Sequence, residues 1–145
     1  MKIQTAYMND IEINEADIIH FQHGLPGFEE ERQFILLSIS NDSIYQVLQS
    51  INTKEIAFIV ASPFITIKDY NFELDEATVE SLQINDEREV AVLGIVTLKE
   101  TLASSTINLK APIILNTTNK QAKQVILDNS TFTIHQPLSN PKEAG

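Results

Sequence analysis

The chain has 145 residues, 20 of them acidic against 10 basic, for a formal charge of −10. That length holds one domain with a real core and is short for two, and the absence of cysteine excludes disulfides, thiolate nucleophiles and thiolate metal sites. The charge repels phosphate and argues against a nucleic-acid or anionic-membrane surface, because the basic residues do not cluster; the densest group is Lys110, Lys120 and Lys123.

The first residues lack the apolar run of a signal peptide, and no apolar stretch approaches membrane-spanning length. The expected location is the cytoplasm. Ile3, Ala6, Met8, Ile11 and Ile13 around Asn9-Asp10 predict two short strands and a turn. Ile18 to Phe21 is a third candidate strand. His23-Gly24-Leu25-Pro26-Gly27-Phe28 follows as a shaped loop, since Gly supplies unusual dihedrals while Pro fixes its own. Leu25 and Phe28 are the side chains able to plug that loop into a core, and Glu29, Glu30 and Glu31 are expected to face water beside it.

Further strands are expected over Phe34 to Ser38, Ile44 to Ile51 and Ile56 to Ala61, with a turn at Asn41-Asp42. Alternation at Tyr70, Phe72 and Leu74, with Asp69 and Glu73 between them, suits another strand with polar residues outward. Asp75 can cap a helix in which Glu76 and Glu80 lie early and Ala77, Val79, Leu82 and Ile84 leave an apolar stripe. Glu87 to Leu98 reads as a long strand, apolar on both faces from 90 to 96 and therefore central or well covered. Residues 107 to 127 carry the strongest strand signal: Ile107, Leu109, Ala111 and Ile113 alternate, a polar connection follows at Asn116 to Lys120, and Gln121 to Leu127 turns apolar again. A last strand is expected at Thr131 to His135, after a turn at Asp128-Asn129-Ser130. Long helices between strands are missing, so a doubly wound fold is not expected, and pattern alone leaves barrel and sandwich open. The expected fold is all-β and mainly antiparallel: one closed or partly open barrel-like domain over 1–138 with one or two short helices, and a flexible tail over 139–145.

Few residues suit chemistry. His20 and His23 with Glu29 or Glu30 match no metal-ligand spacing. Asp69, Glu73, Asp75 and Glu76 lie close in sequence, but proximity means little among so many carboxylates. Ser62, Ser104 and Ser105 have no nucleophile elbow, and four glycines make neither a phosphate loop nor a dinucleotide fingerprint. No cofactor, metal or catalytic residue is therefore expected. A ligand-binding barrel would need a large apolar cavity along 90 to 96 instead of a filled core. Protein recognition is favoured, with anchors in the 24–28 loop and the aromatic-acidic segment 69–76 surrounded by charge.

Phe21, Gly24-Leu25-Pro26-Gly27-Phe28-Glu29 and Phe34 resemble the N-terminal signature of the FliW family of flagellar assembly factors. Asn108-Leu109, Ala111-Pro112-Ile113-Ile114-Leu115-Asn116 and Gln124-Val125-Ile126-Leu127 resemble its C-terminal signature, with Pro137-Leu138 similar to its closing pair. Pro63-Phe64, Asp69-Tyr70, Phe72 and Leu74 are similar to its middle segment, so the resemblance spans essentially the whole chain. It implies a non-enzymatic regulator that binds the translational repressor CsrA and also binds flagellin. Plentiful flagellin occupies the factor and leaves CsrA free to repress; exported flagellin releases it to capture CsrA. The antagonism implied is non-competitive with RNA, so no nucleic-acid surface is needed. A dedicated flagellin export chaperone is the main rival.

Charge density and position near the signature segments single out Glu29, Glu30, Glu31, Asp69, Tyr70, Glu73, Asp75 and Glu76 as the contact to a basic partner. Gly24, Leu25, Pro26, Gly27, Phe28, Asn108, Leu109, Ala111, Pro112 and Asn116 are scaffold signature positions. Of the 107 to 127 stretch, Lys110, Asn116 and the polar 117–123 connection are expected to be free for a partner. The sequence departs from the family at His135, where an arginine is frequent, and at His20 and His23.

Overall fold

Period-two patterning closes into a ring. The computed structural model describes residues 1–39, 44–67, 69–101, 104–128 and 131–138. The turns expected at Asn41-Asp42 and Asn129-Ser130, and the tail beyond Leu138, lie outside the described residues. The strands are β1 (Lys2–Ile3), β2 (Ile11–Glu12), β3 (Ile19–Phe21), β4 (Gln33–Ser38), β5 (Tyr45–Ser50), β6 (Ala57–Ala61), β7 (Val90–Thr97), β8 (Thr106–Ile107), β9 (Ile113–Asn116), β10 (Gln121–Gln124) and β11 (Gln136–Pro137). Among the described residues one α-helix, α1 (Glu76–Ser81), lies between β6 and β7.

Seven of these strands make a closed barrel, in the order β7, β6, β5, β4, β3, β10, β9 and back to β7. All pairs in the ring are antiparallel except β3 with β10, where His20 faces Gln121 in parallel register. Closure removes the free edges that a sandwich would leave. The long strand β7 has two neighbours along one edge: Val90–Leu93 pair with β9, and Val96–Thr97 pair with β8. Gly94 lies at the fork, and a Cβ there would meet Ile107 Cγ1 at 2.6 Å. Glycine is required because β8 crosses too close for a side chain.

Side-chain alternation divides the apolar residues between the inside and the outside of the ring. Phe21, Phe34, Leu48, Val60, Leu93, Ile113 and Leu115 fill the interior, and Leu25 enters it from the Gly-Pro loop. Val47, Ile59, Ala61 and Val96 point outward into a second core with Tyr70, Ile107 and Leu109. The N-terminal hairpin covers Ile35 with Ile3, Ile13 and Ile18. An inner and an outer core explain why β7 is apolar on both faces: Ala91, Leu93 and Ile95 belong to the inner one, and Val92 and Val96 to the outer.

Several expected boundaries move. The alternation from Ile107 to Ile113 is not one strand, because Asn108 Oδ1 accepts from the amides of Lys110 at 3.0 Å and Ala111 at 2.9 Å and folds the chain into a turn. Pro112, lacking a donor, separates that turn from β9. The final strand is Gln136–Pro137 rather than Thr131 to His135, and β7 starts at Val90 after a single 3-10 turn, Glu87–Glu89. The helix is also shorter than its apolar stripe, ending where Gln83 takes a positive φ of 54°.

Candidate protein-binding site

The acidic segment is anchored by one buried aromatic. Tyr70 is 3% exposed, donates its hydroxyl to the Leu109 carbonyl at 2.6 Å, and lies among the rings of Phe64, Phe72 and Phe132 at 5.9, 5.3 and 4.6 Å. Burial pushes its phenol pKa up to about 12. Tyr70 is therefore a support and not an exposed contact, because both its ring and its hydroxyl are already engaged. On either side of it Asp69, Asn71, Glu73 and Asp75 are exposed, while Phe72 and Leu74 are half-buried. The alternation of a strand is present, but residues 70 to 74 belong to no sheet.

Asp75 caps α1 and accepts from the Thr78 amide at 2.8 Å. Hydrogen bonding from Thr78, side chain and backbone, with a smaller attraction from Lys123, holds its carboxyl below the usual range. Glu76 follows in the first turn, exposed. At the far end of the helix the Leu82 carbonyl accepts from Asn116 Nδ2 at 2.9 Å and from Asn119 Nδ2 at 3.0 Å, and the Gln83 carbonyl from Asn116 at 3.3 Å. These amides satisfy carbonyls that a helix end leaves unpaired. Asn116 is 1% exposed, so it docks the acidic helix onto the β9–β10 hairpin instead of being free for a partner. Asn119 and Phe132 were not singled out from the sequence; only the repeated asparagines of the polar turn hinted at such a role.

Two grooves flank the aromatic-acidic segment. The larger, about 1020 Å³, runs between residues 71–74 and a floor that includes Val79, Ile84, Val90, Val92 and Ile114. The other, about 650 Å³, is walled by Val125, Leu127 and Phe132. Among the described residues, the charged ones lining them are all acidic: Glu73, Asp86 and Glu87 in the first, and Glu73, Asp75 and Asp128 in the second. Asp86 pairs with Arg88 at 2.7 Å, and this bond holds its carboxyl below the usual range.

The Gly-Pro loop forms a second acidic patch. Phe28 N–H donates to the Leu25 carbonyl at 2.7 Å across Pro26 and Gly27, whose φ of 85° suits the third position of a type II turn. Leu25 is buried, whereas Phe28 is 39% exposed and rests edge-on against Phe58 at 5.3 Å. Glu29 and Glu30 face solvent. Glu31 does not: it is 9% exposed and accepts from the Ser50 hydroxyl at 3.3 Å, turned inward by the tight return of the loop into β4. Glu29 lines a cleft with His23, Lys123 and the Ser81–Leu82 end of α1, which brings the loop against the acidic helix. His20 is half-buried in β3, and His135 is exposed before β11.

Fold and surface define a class: a small closed β-barrel whose candidate site is a set of apolar grooves rimmed by carboxylates. A family model described as FliW protein matches residues 2–138, and the chain belongs to that family. It is 48% identical over 138 residues to the flagellar assembly factor FliW of Bacillus licheniformis, covering 95% of this chain and 96% of that protein. Against the protein of the same name from Bacillus subtilis strain 168 the identity is 47% over 138 residues, with the same coverage. A crystal structure of the flagellar assembly factor FliW superposes with a TM-score of 0.93 at 41% identity, covering 98% of this chain and 99% of that one. No described helix is long and apolar enough to cross a membrane.

Proposed function

We propose that this chain is a non-enzymatic flagellar assembly factor that works in the cytoplasm by binding two proteins in turn. It captures the translational repressor CsrA, relieving repression of flagellin synthesis, and it is occupied by flagellin when flagellin accumulates. The observation that carries this reading is the near full-length similarity to proteins named flagellar assembly factor FliW. The partner contact is assigned to Glu29 and Glu30 on the loop and to Asp69, Glu73, Asp75 and Glu76 on the segment leading into α1, all exposed and all acidic. A charge of −10 favours a basic protein over RNA as the direct partner. A pull-down from native cytoplasm, with and without purified flagellin as competitor, tests it. CsrA recovered without flagellin and lost with it is the expected result; recovery of flagellin alone would make the chain an export chaperone with no role in translation.

A further inference from the structure

Residues 70 to 74 have everything a strand needs except a neighbour. Tyr70, Phe72 and Leu74 turn inward and Asn71 and Glu73 outward, the period-two pattern of an extended chain on a core. Among the described residues, no hydrogen bond engages the main chain of Asn71, Phe72, Glu73 or Leu74. In the ring the same patterning is accompanied by a ladder, as in β4 with β5. Unpaired amides and carbonyls along a segment with a strand's alternation of burial are a template for a further strand. The groove beside them offers space of about 1020 Å³, an apolar floor and, among the described residues, a rim whose charged members are all acidic.

From this we infer that the segment is a strand-addition site: an extended segment of a basic protein partner lies in the larger groove, pairs its main chain with residues 71–74, sets alternate apolar side chains on Val79, Ile84, Val90 and Val92, and turns alternate Lys or Arg side chains toward Glu73 and Glu87. The inference rests on the acidic-contact reading above and adds to it the form of the ligand. In an extended chain the amides of Asn71 and Glu73 face one edge and those of Phe72 and Leu74 the other, so an added strand protects one alternate pair. Side-chain charge then supplies attraction, and the main chain supplies register.

The test uses the full chain and three peptides of one composition: a capped alternating valine–lysine heptapeptide, and two versions N-methylated on one or the other alternate set of residues. Methylation removes donors from a single edge and leaves charge and side chains in place. The expected result is that the unmodified peptide binds and slows exchange of one alternate pair of amides within 71–74 at least tenfold. One methylated version should bind at least tenfold more weakly, and the other nearly as well. Equal affinity for all three, no binding, or unchanged exchange over 71–74 would overturn strand addition. CsrA affinity of the chain carrying Glu73→Lys with Glu76→Lys is measured alongside. A loss there with equal peptide affinities sinks strand addition alone, whereas unchanged CsrA affinity with one methylated peptide weakened sinks the acidic-contact reading alone.

Discussion

Tyr70 links the acidic segment to the barrel through one hydroxyl, its bond to Leu109. In Tyr70→Phe the ring stays and the Leu109 carbonyl loses its donor, so urea unfolding should show a loss of about 1–2 kcal/mol, the usual cost of deleting one buried hydrogen-bonding partner. The alkaline limb gives a second reading. Burial raises the folded pKa of Tyr70 from 10.0 to about 12, so an unfolded chain ionises first. Stability is therefore flat below the unfolded value and falls as pH rises from 10 toward 12. Tyr70→Phe should fall less steeply over that window, retaining only the share due to Tyr45, whose pKa burial also raises. An unchanged slope would mean the phenol is not shielded. The sequence showed Tyr70 as one member of an aromatic-acidic cluster; whether it faced a partner or the core depended on Leu109 and Phe132, remote in sequence, and could not be read locally.

At the scale of elements, the fork in β7 is the most constrained feature. A methyl group at position 94 would lie 2.6 and 2.7 Å from two side-chain carbons of Ile107, which is fully buried. Gly94→Ala should therefore cost about 1–3 kcal/mol through overpacking. Combining it with Ile107→Ala should give a loss smaller than the sum of the two single losses, since the second change opens space for the first. Strict additivity in thermal or urea melts would remove the crossing of β8 over Gly94 as the cause. Sequence patterning found β4, β5, β6 and most of β7 because their alternation and their burial agree. It failed between Ile107 and Ile113, where the Asn108 side chain captures two amides and converts an alternating stretch into a turn. It also treated Asn116 and the 117–123 connection as free surface, although Asn116 and Asn119 hold α1 in place and Ala122 is buried.

For the whole molecule, electrostatics is the feature a partner meets at long range. Only two ion pairs, Met1 with Glu12 and Arg88 with Asp86, occur among the described residues, so most carboxylates remain uncompensated by a close cation. Under the proposed function, reversing Glu29 and Glu30 to Lys, or Glu73 and Glu76 to Lys, should weaken CsrA binding at least tenfold and flatten its dependence on salt, with the association rate taking much of the change. All four side chains are exposed, so thermal stability should stay close to that of the parent chain. Affinity and salt slope unchanged in both double variants would take these patches out of the interface.

The sequence by itself determined that the chain is one acidic, cysteine-free β domain, which stretches alternate, and which family its signatures resemble, because composition, period and local motif are properties of neighbours along the chain. Only the tertiary structure decided that the strands close into a barrel, that Glu31, Tyr70 and Asn116 turn inward, and that residues 70 to 74 keep a strand's alternation without a strand's partner. Those outcomes depend on contacts between positions far apart in the chain, such as Tyr70 with Leu109 and Asn116 with Leu82, and no local pattern carries that information.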